Sequence, residues 1–375
     1  MRQNHPHIFH FLINRELSEL YASMAIKGFA LSLIGIFIPI FFLEKGFSMM
    51  EVGYFYIIQF LLMIIFSACA AKFIERYGVK HSIFASIPLL ALFYYLVNGI
   101  KPGDILFYVL PIITALSSAF FWMAFHIDFS KFSKNRHRGE ELGFLESMLV
   151  FLGTIAPFLG GLILTFYNFK VLFIITIILI TISVFPLFFS DEVHEIPKLS
   201  FSEMLNMRNK KIFPTFFISG FIDIATSLLW PIFIFKIVNS FVSLGALVSI
   251  GDIFLGFFLL VIGKLADTKK RDKIFKSGIF FRSISLGTRI LAKKAMHVAL
   301  FNILAGISYA MIEIPFMSRV YDKASRTNIT NLFFLREVII NFGRISLIAV
   351  FLITGSFTTT FITAGILVWG YLLFK

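Results

Sequence analysis

Nine charged residues lie inside long apolar runs of this chain: Lys27, Glu146, Asp223, Asp252, Arg282, Glu313, Arg336, Glu337 and Arg344. A charge in the middle of a hydrocarbon layer costs about 2.5–3.5 kcal/mol even on the lenient insertion scale, so each is expected to face protein or water. The chemistry open to them is ion recognition and proton exchange, because a carboxyl group in apolar surroundings holds its proton more tightly than in water. All but Lys27 and Glu146 fall in the second half of the sequence. A further group closes the fourth apolar run, where Trp122 is followed by His126 and Asp128. Trp122 is open to two readings, a cavity wall or an interfacial aromatic belt, and His126 reads as a hydrated side chain near the inner surface.

The runs that hold these charges set the class of protein. The chain has 375 residues, 58% of them hydrophobic, with 51 Phe and a mean hydropathy of +0.88. Its apolar runs last about 18–25 residues, the length a helix needs to cross a bilayer. Twelve spans are predicted, near 21–43, 50–71, 81–98, 105–125, 142–166, 170–190, 211–235, 241–263, 274–292, 295–317, 330–353 and 357–374. All are expected to be helical, since a span must satisfy its own backbone hydrogen bonds. The third is the shortest, and Arg282 and Arg289 interrupt the ninth. The expectation is an all-α membrane protein of twelve helices in two six-helix bundles, 1–190 and 211–375. The linker between them, 191–210, carries Ser200-Phe201-Ser202-Glu203, a Ser-x-x-Glu capping box; the segment reads equally as a short helix on the membrane surface or as a structureless linker.

Basic residues give the orientation. The odd-numbered loops hold only Lys45, Lys101, Lys170, Lys236, Lys293 and Lys294 of the 34 Lys and Arg. The basic side stays in the cytoplasm, which places both termini there, and the plasma membrane is the expected location. The formal charge of +13 is thereby explained by topology, without a nucleic-acid partner. The N-terminal residues, with His5, His7, His10, Arg15, Glu16 and Glu19, are too polar for a cleaved signal, so the first run is expected to remain as a span. The lone Cys69 is expected to be a small buried hydrophobe.

The chain also repeats itself. Ala71-Lys72-Phe73-Ile74-Glu75-Arg76-Tyr77-Gly78-Val79-Lys80 and Gly263-Lys264-Leu265-Ala266-Asp267-Thr268-Lys269-Lys270-Arg271 are 192 positions apart. The same offset carries Gly28 to Gly220, Pro39 to Pro231 and Gly53 to Gly245, the signature of two copies of one unit. Ala71 and Gly263 are small enough to let two helices approach, and a carboxylate at Glu75 or Asp267 can sit against a helix N-terminus. In the fifth run, Pro157 permits a kink, and Gly160 and Gly161 permit close packing.

The two basic turns resemble the signature loop of the major facilitator superfamily, Gly-x-Leu-Ala-Asp-Arg-x-Gly-Arg-Lys. Glu75, Arg76, Gly78 and Lys80 match it in the first half; Gly263, Leu265, Ala266, Asp267 and Arg271 match it in the second. Ala71 stands where that loop has Gly. The segment Ala156-Pro157-Phe158-Leu159-Gly160-Gly161 is similar to the Gly-Pro-x-x-Gly-Gly motif of exporters in the family. The resemblance implies a fold in which the first, fourth, seventh and tenth helices line a central cavity. It makes Asp223 the first choice for a substrate or proton site and Glu313 the second, with Asp252, Arg344, Lys27 and Trp122 as further candidates. Asp252 and Arg344 could instead be partners in structural ion pairs between helices. The turns would form a conformational gate, and Glu146 and Glu337, in similar places in the two halves, would serve that gate or its packing.

What this implies is a secondary transporter that moves a small solute by alternating access, with protons as the expected coupling ion and a slight tilt toward export. The expected partners are that solute and membrane lipids, and the expected state is a monomer. A lipid or lysolipid flippase, or a sensor that binds without transport, would suit the same scaffold. The sequence has no nucleotide-binding loop of the Gly-x-x-x-x-Gly-Lys-Ser/Thr kind and no His-Glu-x-x-His or Gly-x-Ser-x-Gly motif, so no cofactor, metal or intramembrane enzyme chemistry is expected.

Overall fold

The computed structural model describes residues 15–132, 138–189, 198–205, 212–268, 270–324 and 327–373. The N-terminal residues 1–14 and most of the linker lie outside them. The described chain is helical throughout. In order, the helices are α1 (Arg15–Ile34), α2 (Ile38–Glu44), α3 (Met49–Tyr77), α4 (Val79–Val97), α5 (Leu106–Phe132), α6 (Arg138–Thr154), α7 (Ala156–Phe166), α8 (Phe169–Ile182) and α9 (Phe201–Leu205). The second half adds α10 (Phe213–Ser227), α11 (Leu229–Val238), α12 (Phe241–Ala266), α13 (Arg271–Thr288), α14 (Ala295–Ala324), α15 (Ile329–Thr354) and α16 (Phe357–Leu367).

Ten stretches of the described residues are long and apolar enough to cross a membrane. The predicted twelfth span is the shorter apolar stretch Phe357–Leu373. The predicted ninth is α13, whose Arg271, Asp272, Lys273, Lys276 and Arg282 take it out of the apolar class. Several spans are broken helices. The first pauses at the 3-10 turn Gly35–Phe37 and resumes with Pro39 near the start of α2. The seventh breaks at Leu228 and resumes as α11, which carries Pro231. The two breaks lie at the repeat offset, each ahead of a proline that lacks the N–H a continuous helix would use. The fifth breaks between α6 and α7, beside Pro157.

Helix pairing repeats as the sequence does. In the first half α5 packs on α3 and α4; in the second, α14 packs on α12 and α13. The halves meet along two seams, α12 against α6 and α7, and α3 against α15. Glycines allow the first seam to close. A Cβ on Gly143 would meet the Gly263 Cα at 2.7 Å, one on Gly245 would strike the Pro157 carbonyl, and one on Gly161 would strike the Phe241 carbonyl. The Ser147 hydroxyl adds a bond to the Gly256 carbonyl at 2.7 Å.

Outward surfaces are as apolar as the interior: Tyr95 is 73% exposed and Ile353 84%. Lipid replaces water as the outer solvent, so apolar character does not mark the core here. Cys69 illustrates this, since it is exposed rather than buried as its apolar setting suggested. The capping box in the linker does not form either. The Ser200 N–H that it would give to Glu203 goes to Asn331 Oδ1 at 2.8 Å, and the Glu203 carboxylate accepts from Asn328 and Asn331, each at 3.0 Å. Helix α9 thus docks on the start of α15, with Met204 buried.

Candidate functional site

A cavity lies between the halves. It has two contiguous compartments of about 600 and 470 Å³, which share Trp122, Asp223, Thr226, Arg282, Tyr309 and Arg344. The lining comes not only from the first, fourth, seventh and tenth spans. Asp252 on α12, Arg282 on α13 and Arg344 on α15 also reach it, and Glu146 on α6 faces it from the first half.

Asp223 and Arg344 form one unit. The Arg344 Nε donates to Asp223 Oδ2 at 2.8 Å, and its Nη1 donates to Asn341 Oδ1 at 3.1 Å. The guanidinium also lies 5.1 Å from the centroid of the Phe60 ring, across the seam. Asp223 keeps 39% of its side chain exposed, so it reaches the cavity while paired. Arg282 gives Nη1 to the Ala305 carbonyl and Nη2 to the Thr226 hydroxyl, at 3.1 and 3.0 Å. Asp252 lines the larger compartment.

Glu313 on α14 and Glu146 on α6 come from opposite halves and both line the smaller compartment. Glu146 was expected in a gate or packing role; the structure places it on the cavity wall. Glu337 instead is 2% exposed and takes Arg336 Nη1 at 2.6 Å, a buried pair.

The sequence marks Arg289 as an interruption of the ninth span, and it was not placed among the candidate site residues. Its side chain is 1% exposed, donates Nη1 to the Ala225 carbonyl at 2.9 Å, and lies 4.7 Å from the Trp230 ring. Trp230 Nε1 is held by Asn302 Oδ1 at 2.7 Å, and Asn302 donates to the Leu247 carbonyl. The available signal was the weak hydropathy of the ninth span: its arginines point inward to the cavity rather than to a membrane surface. His126 is also corrected. It is 3% exposed, not hydrated, with Nδ1 2.8 Å from the Tyr321 hydroxyl and its ring stacked on Phe333 at 5.0 Å. It joins α5 of the first half to α14 and α15 of the second, on the face that carries the basic turns.

The turns themselves differ. Asp267 Oδ2 accepts the Glu140 N–H at 2.8 Å, at the start of α6, where N–H groups lack helical partners. Beside it, Arg271 reaches the Pro315 carbonyl at 3.2 Å and Asp322 at 3.5 Å. Burial lowers the Arg271 pKa below the usual arginine value, and the charges of Asp322 and Asp267 oppose that shift. In the first half Glu75 lies 3.6 Å from Lys198 of the linker, and the Lys198 carbonyl accepts from Asn328 at the start of α15 at 2.9 Å. Ala71 is buried, the Arg76 guanidinium lies 5.2 Å from the Tyr77 ring, and Gly78 takes φ +92° between α3 and α4, which a side chain would strain. A Cβ on Gly160 would strike the Leu33 carbonyl, so Gly160, like Gly161 beside Pro157, serves close packing.

No curated protein matches the sequence. Among solved structures, the chain superposes on the human organic anion transporter MFSD10 (TETRAN) with a TM-score of 0.70 and 12% identity, over 96% of this chain and 99% of that one. That likeness establishes the fold. The Major Facilitator Superfamily pattern matches residues 20–346. With twin turns, paired seams and a charged cavity between the halves, the chain belongs to the Major Facilitator Superfamily of membrane transporters, as a multi-pass membrane protein.

Proposed function

We propose that this protein is a secondary active transporter that moves a small solute across the plasma membrane by alternating access, coupled to protons and working as an exporter. Twelve helices in two bundles, 1–190 and 211–375, would rock about the cavity, with both termini and the basic turns in the cytoplasm. The observation that carries the reading is the cavity itself: charged groups from both halves face one space at the interface the halves share. A fixed cation–anion pair, Asp223 with Arg344, can exchange partners with a charged solute. Glu146 and Glu313 can hold a proton between them in one state and release it in another, because rocking the halves alters their separation. The Asp267 contact to α6 joins the halves on the basic face and would open when that face opens. Export is proposed on the similarity of Ala156–Gly161 to the exporter motif.

The test begins with thermal stabilisation of the purified protein by a library of small solutes, repeated on Asp223→Asn. Solutes whose effect depends on Asp223 are then followed into proteoliposomes. Transport predicts counterflow of the solute, and accumulation against its gradient when a pH gradient is imposed. Binding without any flux would favour a sensor, and accumulation indifferent to collapse of the proton gradient would remove the coupling.

A further inference from the structure

Among the described residues, the first half of the chain places one cation, Lys27, at membrane depth without a countercharge. Lys27 is 4% exposed. Its ammonium lies over the Phe121 ring, 2.9 Å from the centroid, and makes no hydrogen bond or ion pair with any described residue. Every arginine on the cavity wall is treated differently. Arg344 holds Asp223, Arg336 holds Glu337, and Arg282 and Arg289 each hold a carbonyl. A ring face attracts an ammonium, but it neutralises no charge. A buried charge left unpaired is among the more expensive features a protein can carry.

The ammonium faces a side pocket of about 220 Å³. The pocket shares Leu31, Gly35, Tyr56, Gln59, Ser118 and Trp122 with the larger compartment, so it is a recess in the first-half wall of the central cavity. Its remaining surface is largely apolar and aromatic, with Phe93 and Tyr94 among the walls. The Gln59 amide and the Ser118 hydroxyl also line it without a hydrogen bond to any described residue. An unpaired cation and unused donors therefore converge on a small, contiguous, mostly apolar space.

We propose that this recess is a carboxylate subsite: Lys27, assisted by Gln59 and Ser118, takes the monoanionic end of a small organic acid whose body extends past Trp122 into the cavity. A single unpaired cation is balanced by a single negative charge, whereas a dianion would leave the recess charged again. The apolar walls suit the carbon attached to a carboxylate. The inference names the substrate class for the transporter reading and rests on it. It also supplies a reason for occupancy to drive closure. Sealing the cavity over an unpaired ammonium is opposed by desolvation, and the bound anion removes that opposition, so it binds the sealed state better than the open one.

The experiment is the melting temperature of the purified full-length protein in detergent, with acetate, benzoate or 3-phenylpropionate against the matched amides, at constant ionic strength. At least one carboxylate is expected to raise the melting temperature of the wild type while its amide does not. Lys27→Met is expected to weaken that carboxylate by at least about tenfold, which corresponds to about 1.4 kcal/mol. Gln59→Leu, which keeps the lysine, should weaken it by a smaller factor and serves if Lys27→Met fails to fold. The proposal is overturned if no carboxylate acts on the wild type, if the amides act equally, or if the effect survives both variants unchanged. Flux is read separately: Lys27-dependent binding without flux would remove the transporter reading and leave the subsite in place.

Discussion

The two halves of the chain share one plan and use it for different purposes. Where the repeat offset is unbroken, Asp223 stands at the position of Leu31, and Asp252 at that of Phe60. All four line the same compartment. The first-half wall is therefore aromatic and aliphatic at positions where the second-half wall carries carboxylates, and Arg344 lies against Phe60 across the seam between them. The turns diverge in the same way. Asp267 meets a helix N-terminus of the other half directly, while Glu75 reaches the start of α15 only through Lys198 of the linker. What the copies retain is the scaffold on which the proposed rocking would depend. Where they differ, one half has acquired charge.

The comparison can be broken first at the seams. Gly53 and Gly245 are repeat partners, but a Cβ on Gly245 would strike the Pro157 backbone, whereas the nearest atoms to one on Gly53 belong to the Leu352 side chain. Gly245→Ala is expected to cost well over about 3 kcal/mol, or to prevent folding, because a carbonyl cannot step aside. Gly53→Ala should cost about 1 kcal/mol or less, since a leucine can change rotamer. Melting curves in detergent check the pair, and equal losses would contradict the packing account.

Next comes the ion pair. Asp223→Asn or Arg344→Met alone should destabilise by about 1–3 kcal/mol, the upper end being restrained by Asp223's exposure to the cavity. The double variant should recover part of that loss, as a double-mutant cycle would show. Leu31→Asn, at the corresponding first-half position, has no ionic partner to strand and should show no such coupling to Arg344→Met.

A third prediction concerns the carboxylates of the smaller compartment. Glu313→Gln and Glu146→Gln are each expected to abolish accumulation driven by a pH gradient while leaving counterflow within about threefold of wild type. Loss of both activities together would mean that these groups bind the solute rather than the proton. The smallest effect lies at the turns. Asp267→Ala should shift the balance toward opening of the basic face by about 0.3–1 kcal/mol. Lys198→Ala, which removes an exposed pair, should shift it by less than about 0.5 kcal/mol. Both are read from the rate at which a cysteine at position 72 reacts with a water-soluble maleimide in the Cys69→Ser background.

The architecture was legible because its signals are periodic and redundant: long apolar runs, a constant offset and two copies of a loop. The identities of the cavity charges were legible too, since hydrocarbon makes any charge conspicuous. Their partners were not. Pairing Asp223 with Arg344, or bringing Glu146 to Glu313, depends on helix rotation and on contacts across 121 or more positions, which no local pattern encodes. Arg289 showed in the sequence only as an interruption of a weak span, because nothing local says which way an arginine near a span's end will point. Burial was the least legible property, as Cys69 and His126 show. When both the core and the outer solvent are apolar, hydrophobicity no longer separates inside from outside.

The most direct test of alternating access is the distance between spin labels at Lys72→Cys and Lys264→Cys, repeat partners that are both exposed beside the two basic turns, in the Cys69→Ser background. Two populations, one short and one long, are predicted. Asp267→Ala should move weight toward the long distance, and a solute that binds in the cavity should move it back. A single distance, unchanged by the substitution and by every bound solute, would contradict the account.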